Sequence, residues 1–128
     1  MKFKRKQKKI SVGPNPGIKY VASMVKGETI GFKKMSEMIE KSSTVSRGDI
    51  QAVLDLMAST TVWMVEAGHP VRYDGFGIFT PTAKVKAVDN PEDVTTETIG
   101  RIGMRFTPTV EIKDKLNNVS KNIDPIEE

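Results

Sequence analysis

Two glycines interrupt a segment that otherwise has the character of a β-strand, residues 71–81 (VRYDGFGIFTP). Glycine loses more conformational entropy than other residues in a strand interior and contributes no side chain to packing. Gly75 and Gly77 therefore predict a bend, a bulge or a close approach of another backbone. Any fold assigned to the chain has to accommodate that irregularity.

Helical periodicity precedes this strand. Apolar residues recur at helical spacing between Phe32 and Ile39 and predict a first short helix. A second, longer helix is predicted after Ser46, which forms a capping signal with Asp49, and it is expected to stop at Gly68. Its apolar stripe consists of Ile50, Val53, Leu54, Met57, Thr61, Met64 and Val65. A regular stripe of this kind predicts a core or a dimer interface.

Further strands and a last helix are predicted on both sides of this region. A strand is expected at residues 18–25, another at residues 101–106, and a short helix near residues 110–119 with Pro108 close to its first turn. The twenty residues 81–100 are too many for a tight turn and predict a protruding ribbon or a long loop. The order of elements predicts a small α+β domain.

Positive charge is concentrated at the N-terminus. Residues 2–9 contain six of the 20 Lys and Arg residues and no acid, which leaves 14 basic against 16 acidic residues elsewhere. The six are Lys2, Lys4, Arg5, Lys6, Lys8 and Lys9. Because residues 11–17 (SVGPNPG) are rich in Pro and Gly, we expect residues 1–17 to be a disordered basic tail and linker. Such a tail is either a solvated extension or a phosphate-binding arm. Residues 18–120 would form the folded domain and residues 121–128 a C-terminal tail.

The sequence contains no recognisable catalytic or metal-binding pattern. It has no cysteine, and its one histidine, His69, is expected only to end the second helix. Gly75-Phe76-Gly77 lacks the third glycine of a dinucleotide-binding loop. No apolar run approaches the ~20 residues that span a bilayer. We therefore expect a non-enzymatic protein without cofactor, metal, small-molecule substrate or membrane association, located in the cytoplasm.

Taken together, the capped helix pair, the Gly-Phe-Gly-x-Phe strand, the long excursion with Asn-Pro and the Pro-initiated last helix resemble the bacterial histone-like HU and integration host factor family. The resemblance covers roughly residues 32–119. The matching positions are Gly75, Phe76, Gly77, Phe79, Asn90, Pro91, Phe106 and Pro108.

The resemblance implies a specific α+β fold. This is an HU/IHF-like domain with two N-terminal helices, a curved antiparallel sheet, a protruding β-ribbon arm at about residues 81–100 and a C-terminal helix, assembled as an intertwined homodimer. Phe76 and Phe79 would lie in its core. The arm would enter the minor groove of double-stranded DNA, with Pro91 inserted between base pairs. The DNA-binding residues expected in the body are Lys84, Lys86, Asn90, Pro91, Arg101 and Arg105, in addition to the six N-terminal cations.

The predicted arm departs from the family pattern in its charge. Lys84 and Lys86 are outnumbered by four acids, Asp89, Glu92, Asp93 and Glu97. Two functions therefore follow from the sequence. The first is a sequence-independent, nucleoid-associated architectural protein that binds and bends DNA as a homodimer. The alternative is a protein-interaction or assembly module of the same fold whose acidic arms contact another protein.

Overall fold

The structure, a computed structural model, describes residues 1–126 of the chain. Within them lie β1 (Lys2–Ile10), β2 (Gly17–Met24), α1 (Phe32–Lys41), α2 (Arg47–Glu66), β3 (Val71–Tyr73), β4 (Gly77–Val85), β5 (Ile99–Pro108), α3 (Val110–Asn117) and β6 (Asn122–Ile123). The predicted α+β class is confirmed. Contacts divide the chain into a terminal unit, Met1–Thr29 with the segment from Lys115 onward, and a central unit, Ile30–Asp114.

The helices α1 and α2 of the central unit are joined by a turn that polar contacts fix. Ser46 caps α2, as predicted, because its hydroxyl accepts a hydrogen bond from the Asp49 amide at 3.3 Å. One carboxylate oxygen of Glu40 accepts from the Arg47 amide at 2.7 Å, and the other lies 3.3 Å from the Arg47 guanidinium. At its C-terminal end α2 is followed by Gly68, which has φ +90°. The left-handed conformation there suits glycine and ends the helix.

The strand predicted at residues 71–80 is in fact two strands, β3 and β4. The chain turns between them at Gly75, which has φ +76°. The Phe76 amide donates to the Tyr73 carbonyl oxygen at 2.9 Å and closes the turn. The prediction of one strand was wrong because a turn of three residues does not interrupt the apolar pattern of the sequence. The first of the two glycines is therefore needed for backbone conformation.

Gly77 permits a close approach of β5 to β4. These strands pair antiparallel, with Gly77 opposite Pro108 and Phe79 opposite Phe106. A Cβ atom at Gly77 would lie 2.5 Å from the Phe106 ring and 2.6 Å from the Thr107 carbonyl oxygen. No side chain other than hydrogen fits in that space. The predicted close approach is confirmed at this second glycine.

The predicted arm is a paired ribbon for only part of its length. Pairing of β4 with β5 reaches Val85 opposite Ile99, after a register shift that starts at Ala83. The Lys86 amide adds one further hydrogen bond, to the Thr98 carbonyl oxygen at 2.8 Å. Beyond it the chain forms two short 3-10 turns, Pro91–Asp93 and Thr96–Thr98. Residues 87–97 are therefore a structured connection that is not paired as a ribbon.

The helix predicted near residues 110–119 is confirmed as α3. Pro108 ends β5 and lies just before the helix, where its missing amide removes no intrahelical hydrogen bond. Thr109 caps α3, since its hydroxyl accepts from the Ile112 amide at 3.3 Å. The long strand β5 thus leads directly into the helix.

The predicted disordered tail at residues 1–17 was wrong over its first ten residues. β1 pairs antiparallel with β2, from Phe3 opposite Met24 to Ile10 opposite Gly17. A run of cations is typical of a solvated tail because like charges repel. Here most of the cross-strand partners on β2 are uncharged, so the pairing adds little repulsion. Gly13 and Gly17, with φ +115° and +141°, make the reversal between the strands. The strand predicted at residues 18–25 is confirmed as β2.

The segment after α3 completes the terminal sheet. β6 pairs parallel with the start of β1, Lys2 opposite Asn122 and Phe3 opposite Ile123, in the strand order β2-β1-β6. The Asp124 amide donates to the Phe3 carbonyl oxygen at 3.1 Å. The tail predicted at residues 121–128 therefore contains a short strand, and its last two residues lie outside the described part of the chain.

Few side chains are buried in either unit. Among the described residues, Ile50 is the one buried apolar side chain, at 6% exposure. The aromatic rings of Tyr73, Phe79 and Phe106 pack against one another, with centroids 4.8–5.0 Å apart. Phe76 joins this cluster but is 47% exposed, so a single chain does not supply the core that the resemblance implied for it. The chain by itself leaves much of its apolar surface uncovered.

Candidate nucleic-acid interface

The sheet β3-β4-β5 has two chemically different faces. Residues paired across antiparallel strands project to the same face, and neighbours along a strand project to opposite faces. Tyr73, Phe79 and Phe106 therefore share one face, and the Tyr73 hydroxyl lies 2.6 Å from the Thr61 hydroxyl of α2. This apolar face is the side that packs on the helix. The opposite face points away from α2.

The face opposite α2 carries the cations of the ribbon, and we call it the basic face. It contains Arg72, Thr80, Thr82, Lys84, Arg101, Arg105 and Thr107. The pairing of Thr80 with Arg105 sets the register that brings Lys84 to the same side as Arg101 and Arg105. Three of the predicted site residues are therefore collected on one surface. Alternation along the sequence predicts that Arg101 and Arg105 share a face, but only the register of β4 and β5 shows that Lys84 lies on the same face.

Arg72 belongs to the basic face and was not predicted. It pairs with Ile78, and Ile78 in turn pairs with Thr107, which places all three on the same side of the sheet. The signal in the sequence was the alternation Val71-Arg72-Tyr73, apolar on either side of a cation. That pattern shows that Arg72 points away from the apolar face, but it does not show which strand lies beside it.

The cations of the basic face have no carboxylate within ion-pair distance in residues 1–126. The ion pairs found there are confined to α1 and the first residue of α2, and they involve Lys34, Glu37, Glu40 and Arg47. Lys84, Arg101 and Arg105 are all exposed. Three threonine hydroxyls are interspersed among them. Guanidinium, ammonium and hydroxyl groups are among the side-chain groups that contact phosphate oxygens.

The other predicted arm residues lie in the connection between β4 and β5. Lys86 is the first residue after β4, and Asn90 precedes the turn Pro91–Asp93. The Asn90 carbonyl oxygen accepts from the Asp93 amide at 3.1 Å, and the Asn90 side-chain amide donates to the Asp93 carboxylate at 3.4 Å. Pro91 is exposed at the start of this turn. Asn90 and Pro91 are thus not at the end of a paired ribbon, and acidic residues follow them directly.

The six N-terminal cations lie on β1 and are divided between its two faces. Lys2, Lys4, Lys6 and Lys8 project to one face of the terminal sheet, whereas Arg5 and Lys9 project to the other. The Arg5 guanidinium donates to the Asp124 carbonyl oxygen. The predicted N-terminal group is therefore a patterned strand, and within residues 1–126 Arg5 is the one of the six cations whose side chain has a hydrogen-bond partner.

An open apolar cavity of about 530 Å³ lies between the helices and the apolar face of the central sheet. Its walls include Phe32, Met57, Val62, Phe76 and Met104. Met57, Val62 and Met104 are 42%, 50% and 48% exposed. These three side chains are therefore apolar groups that the chain leaves open to solvent. The predicted role of the methionines as core or dimer interface is consistent with this position.

Neither a metal site nor a membrane span is found in the described residues. No group of three or more His, Asp and Glu side chains within residues 1–126 is placed to hold a metal ion. His69 follows the end of α2, and its amide donates to the Met64 carbonyl oxygen at 3.1 Å, as expected of a residue that ends the helix. Across the same residues, every helix is too short or too polar to cross a bilayer.

Solved structures of other proteins share this fold. A protein from Bacteroides vulgatus ATCC 8482 to which DNA binding is ascribed is 13% identical, with a TM-score of 0.62 over 95% of this chain. This chain spans 47% of that protein's length. HU from Anabaena, crystallised with DNA, is 19% identical, with a TM-score of 0.55 over 70% of this chain and all of the HU chain. At these identities the likeness establishes the fold.

Sequence comparison assigns the family. A search of curated proteins finds no match. A family model described as "HU domain fused to wHTH, Ig, or Glycine-rich motif" matches residues 1–122, almost the whole chain. The predicted resemblance to HU is confirmed by this match. The chain belongs to this family of HU-like proteins.

Proposed function

We propose that this chain is a non-enzymatic architectural protein of the nucleoid that binds duplex DNA as a homodimer and bends it. The observation that carries the proposal is the basic face, where Arg72, Lys84, Arg101 and Arg105 lie on one side of the sheet with no carboxylate within ion-pair distance in residues 1–126. Four cations on a rigid sheet suit a polyanion. The Anabaena HU protein of the same fold was crystallised with DNA, which favours DNA as that polyanion.

Binding of this kind is expected to be largely independent of sequence. The basic face offers cations and threonine hydroxyls that can contact phosphates, and phosphate contacts carry no direct information about the bases. Its affinity would come mainly from the release of counterions and would fall as salt rises. The N-terminal lysines of β1 are proposed to add to this phosphate binding.

The homodimer is proposed because the central unit leaves its apolar cavity open. Burial of apolar surface stabilises by about 25 cal/mol per Å². The exposed side chains of Met57, Val62 and Met104 make the cavity wall a surface that a second copy would cover. An intertwined arrangement, in which each copy fills the cavity of the other, meets this requirement. The central unit, Ile30–Asp114, would then be the unit of assembly.

Bending of DNA is assigned to the segment of residues 81–100. Pro91 is exposed and rigid, and a side chain of this kind can insert between base pairs from the minor groove and kink the duplex. Asn90 beside it and Lys86 at the end of β4 would contact the groove and the backbone. The four acids of the connection would lower the affinity of this segment relative to a basic arm.

The test is a salt titration of binding to a fluorescently labelled duplex. Neutralising Lys84, Arg101 and Arg105 to Gln together should reduce the slope of log K against log salt by roughly 0.9 for each phosphate that the protein no longer neutralises, or about 2.7 per protomer. A matched control replaces Lys33, Lys41 and Lys113, which are exposed on helices, with Gln. Equal slopes for the two triple variants would contradict the assignment of the basic face.

A second function is favoured by the acidic connection. Asp89, Glu92, Asp93 and Glu97 are all exposed. A cluster of this charge suits a basic protein surface better than DNA, so an assembly module is the alternative. The same titration separates the two. No binding of the unaltered protein to duplex DNA at low salt would exclude the architectural function and leave the module.

A further inference from the structure

Alternation along β1 gathers lysines on one face of the terminal sheet. Lys2, Lys4, Lys6 and Lys8 occupy every second position, so their side chains project to the same side. Lys19 of β2 lies directly opposite Lys8 and joins them. We call these five residues the lysine face. Alternate strand residues are about 6.8 Å apart, which gives an evenly spaced row of ammonium groups.

The opposite face of the same hairpin has another character. Phe3 lies opposite Met24, and Gln7 lies opposite Tyr20, so this side is a mixture of apolar and polar residues. It also carries Arg5, whose guanidinium is engaged by the Asp124 carbonyl oxygen. The cationic run at the N-terminus is therefore sorted by the strand into a face of lysines and a mixed face.

The lysine face is held in place by backbone pairing. Eight residue pairs join β1 to β2, and β6 pairs with the start of β1 on its other side. A charged row on a paired sheet has already lost the backbone entropy that a flexible tail would lose on binding. The lysine face therefore loses less backbone entropy when it binds a ligand than the disordered tail predicted from the sequence would lose.

The lysine face contains a pair of like charges, and a bound anion would reduce the repulsion between them. Like charges directly opposite each other on neighbouring strands are destabilising, and Lys8 and Lys19 form such a pair. Both are exposed, and in the described part of the chain no carboxylate lies within ion-pair distance of any residue of the lysine face. A bound polyanion would relieve this repulsion, as no group within residues 1–126 does.

We propose that the lysine face is a second surface for the phosphate backbone of duplex DNA, formed by Lys2, Lys4, Lys6, Lys8 and Lys19. This inference rests on the proposed DNA-binding function and refines it, because it assigns the contact to one face of a folded sheet and excludes Arg5 and Lys9 from it. A membrane surface is less well matched. Among the residue pairs that join β1 to β2, the large apolar side chains on this face are Val21, opposite Lys6, and Ile10, opposite Gly17, whereas membrane binding typically uses Trp, Phe or Leu side chains that insert.

Lys8 and Lys9 provide a matched pair of variants for the test. They are adjacent and carry the same charge but project to opposite faces. In the full chain, Lys8→Gln should lower the slope of log K against log salt for a labelled duplex by about 0.9 per protomer, whereas Lys9→Gln should leave it almost unchanged. The combined Lys6→Gln, Lys8→Gln and Lys19→Gln variant should lower it by roughly 2.7 per protomer. Lys8→Arg should retain the slope of the unaltered protein. Circular dichroism of each variant verifies that the sheet is intact.

The outcomes separate this inference from the function on which it rests. Failure of the unaltered protein to bind DNA at low salt would remove both. Binding by the unaltered protein with an unchanged slope in the triple variant would remove the lysine face alone. Equal reductions of the salt slope in Lys8→Gln and Lys9→Gln would indicate a DNA contact without a preferred face and would also overturn the lysine-face proposal. So would loss of binding to phosphatidylserine vesicles in the triple variant without loss of binding to DNA.

Discussion

The substitution Gly77→Ala is expected to destabilise the central unit strongly. The added Cβ would lie 2.5 Å from the Phe106 ring and 2.6 Å from the Thr107 carbonyl oxygen. The ring can rotate away, but the carbonyl oxygen belongs to the backbone of β5, so the two strands have to separate. Overpacking costs about 1–3 kcal/mol, and a backbone contact places this case at roughly 2–3 kcal/mol. For a unit of this size that corresponds to a fall in Tm of roughly 8–24 °C.

The assay is thermal unfolding followed by circular dichroism at a fixed protein concentration, with two other glycines as controls. Gly75→Ala meets no atom within 4 Å but keeps φ +76°, so its cost of about 1–2 kcal/mol is purely conformational. Gly48→Ala lies in the first turn of α2 with nothing within 4 Å and should be neutral or slightly stabilising. The steric argument is refuted if Gly77→Ala unfolds at the temperature of the unaltered protein or if Gly48→Ala loses as much stability.

Three further changes test other contacts. Ser46→Ala removes the cap of α2 and should lower the free energy of unfolding by about 1 kcal/mol in urea, whereas Ser46→Asp should retain it. Thr61→Val removes the hydroxyl that lies 2.6 Å from the Tyr73 hydroxyl and should lower the free energy of unfolding by about 1–2 kcal/mol. If the double variant with Tyr73→Phe loses the full sum of the two single losses, the two hydroxyls are not coupled. Val62→Asp places a charge in the open apolar cavity and should shift the protein from dimer to monomer in sedimentation equilibrium, whereas the exposed Val12→Asp should not.

Local signals in the sequence were sufficient for the helices of the central unit and for its glycines. The stripe from Ile50 to Val65 and the Ser46 cap fixed α2, because helical contacts join residues three or four apart. Gly75 and Gly77 predict an irregular strand, and each glycine is required for a physical reason, conformational at Gly75 and steric at Gly77. The sequence did not show that a turn at Gly75 divides the strand.

Non-local pairing explains what the sequence did not show. β1 is a strand because residues 17–24 pair with it, and a run of six cations contains no sign of that partner. Arg72 joins the basic face through Ile78 and Thr107, which are on two other strands. Phe76 was expected in a core, but within this chain it is 47% exposed, and the sequence pattern does not show which neighbours would cover it. Local sequence patterns predict neither the register between strands nor the contacts that cover an exposed side chain.

The short β6 has a consequence for solubility. It pairs with Lys2 and Phe3 only, so the backbone of β1 from Lys4 onward faces solvent on that side within the described residues. An exposed strand edge can recruit another copy into a larger sheet, and lysines on such an edge oppose this through mutual repulsion. Salt weakens that repulsion, since the screening length falls from about 10 Å at 0.1 M to about 3 Å at 1 M. Concentrated salt should therefore promote aggregation that begins at β1 while the helices remain folded.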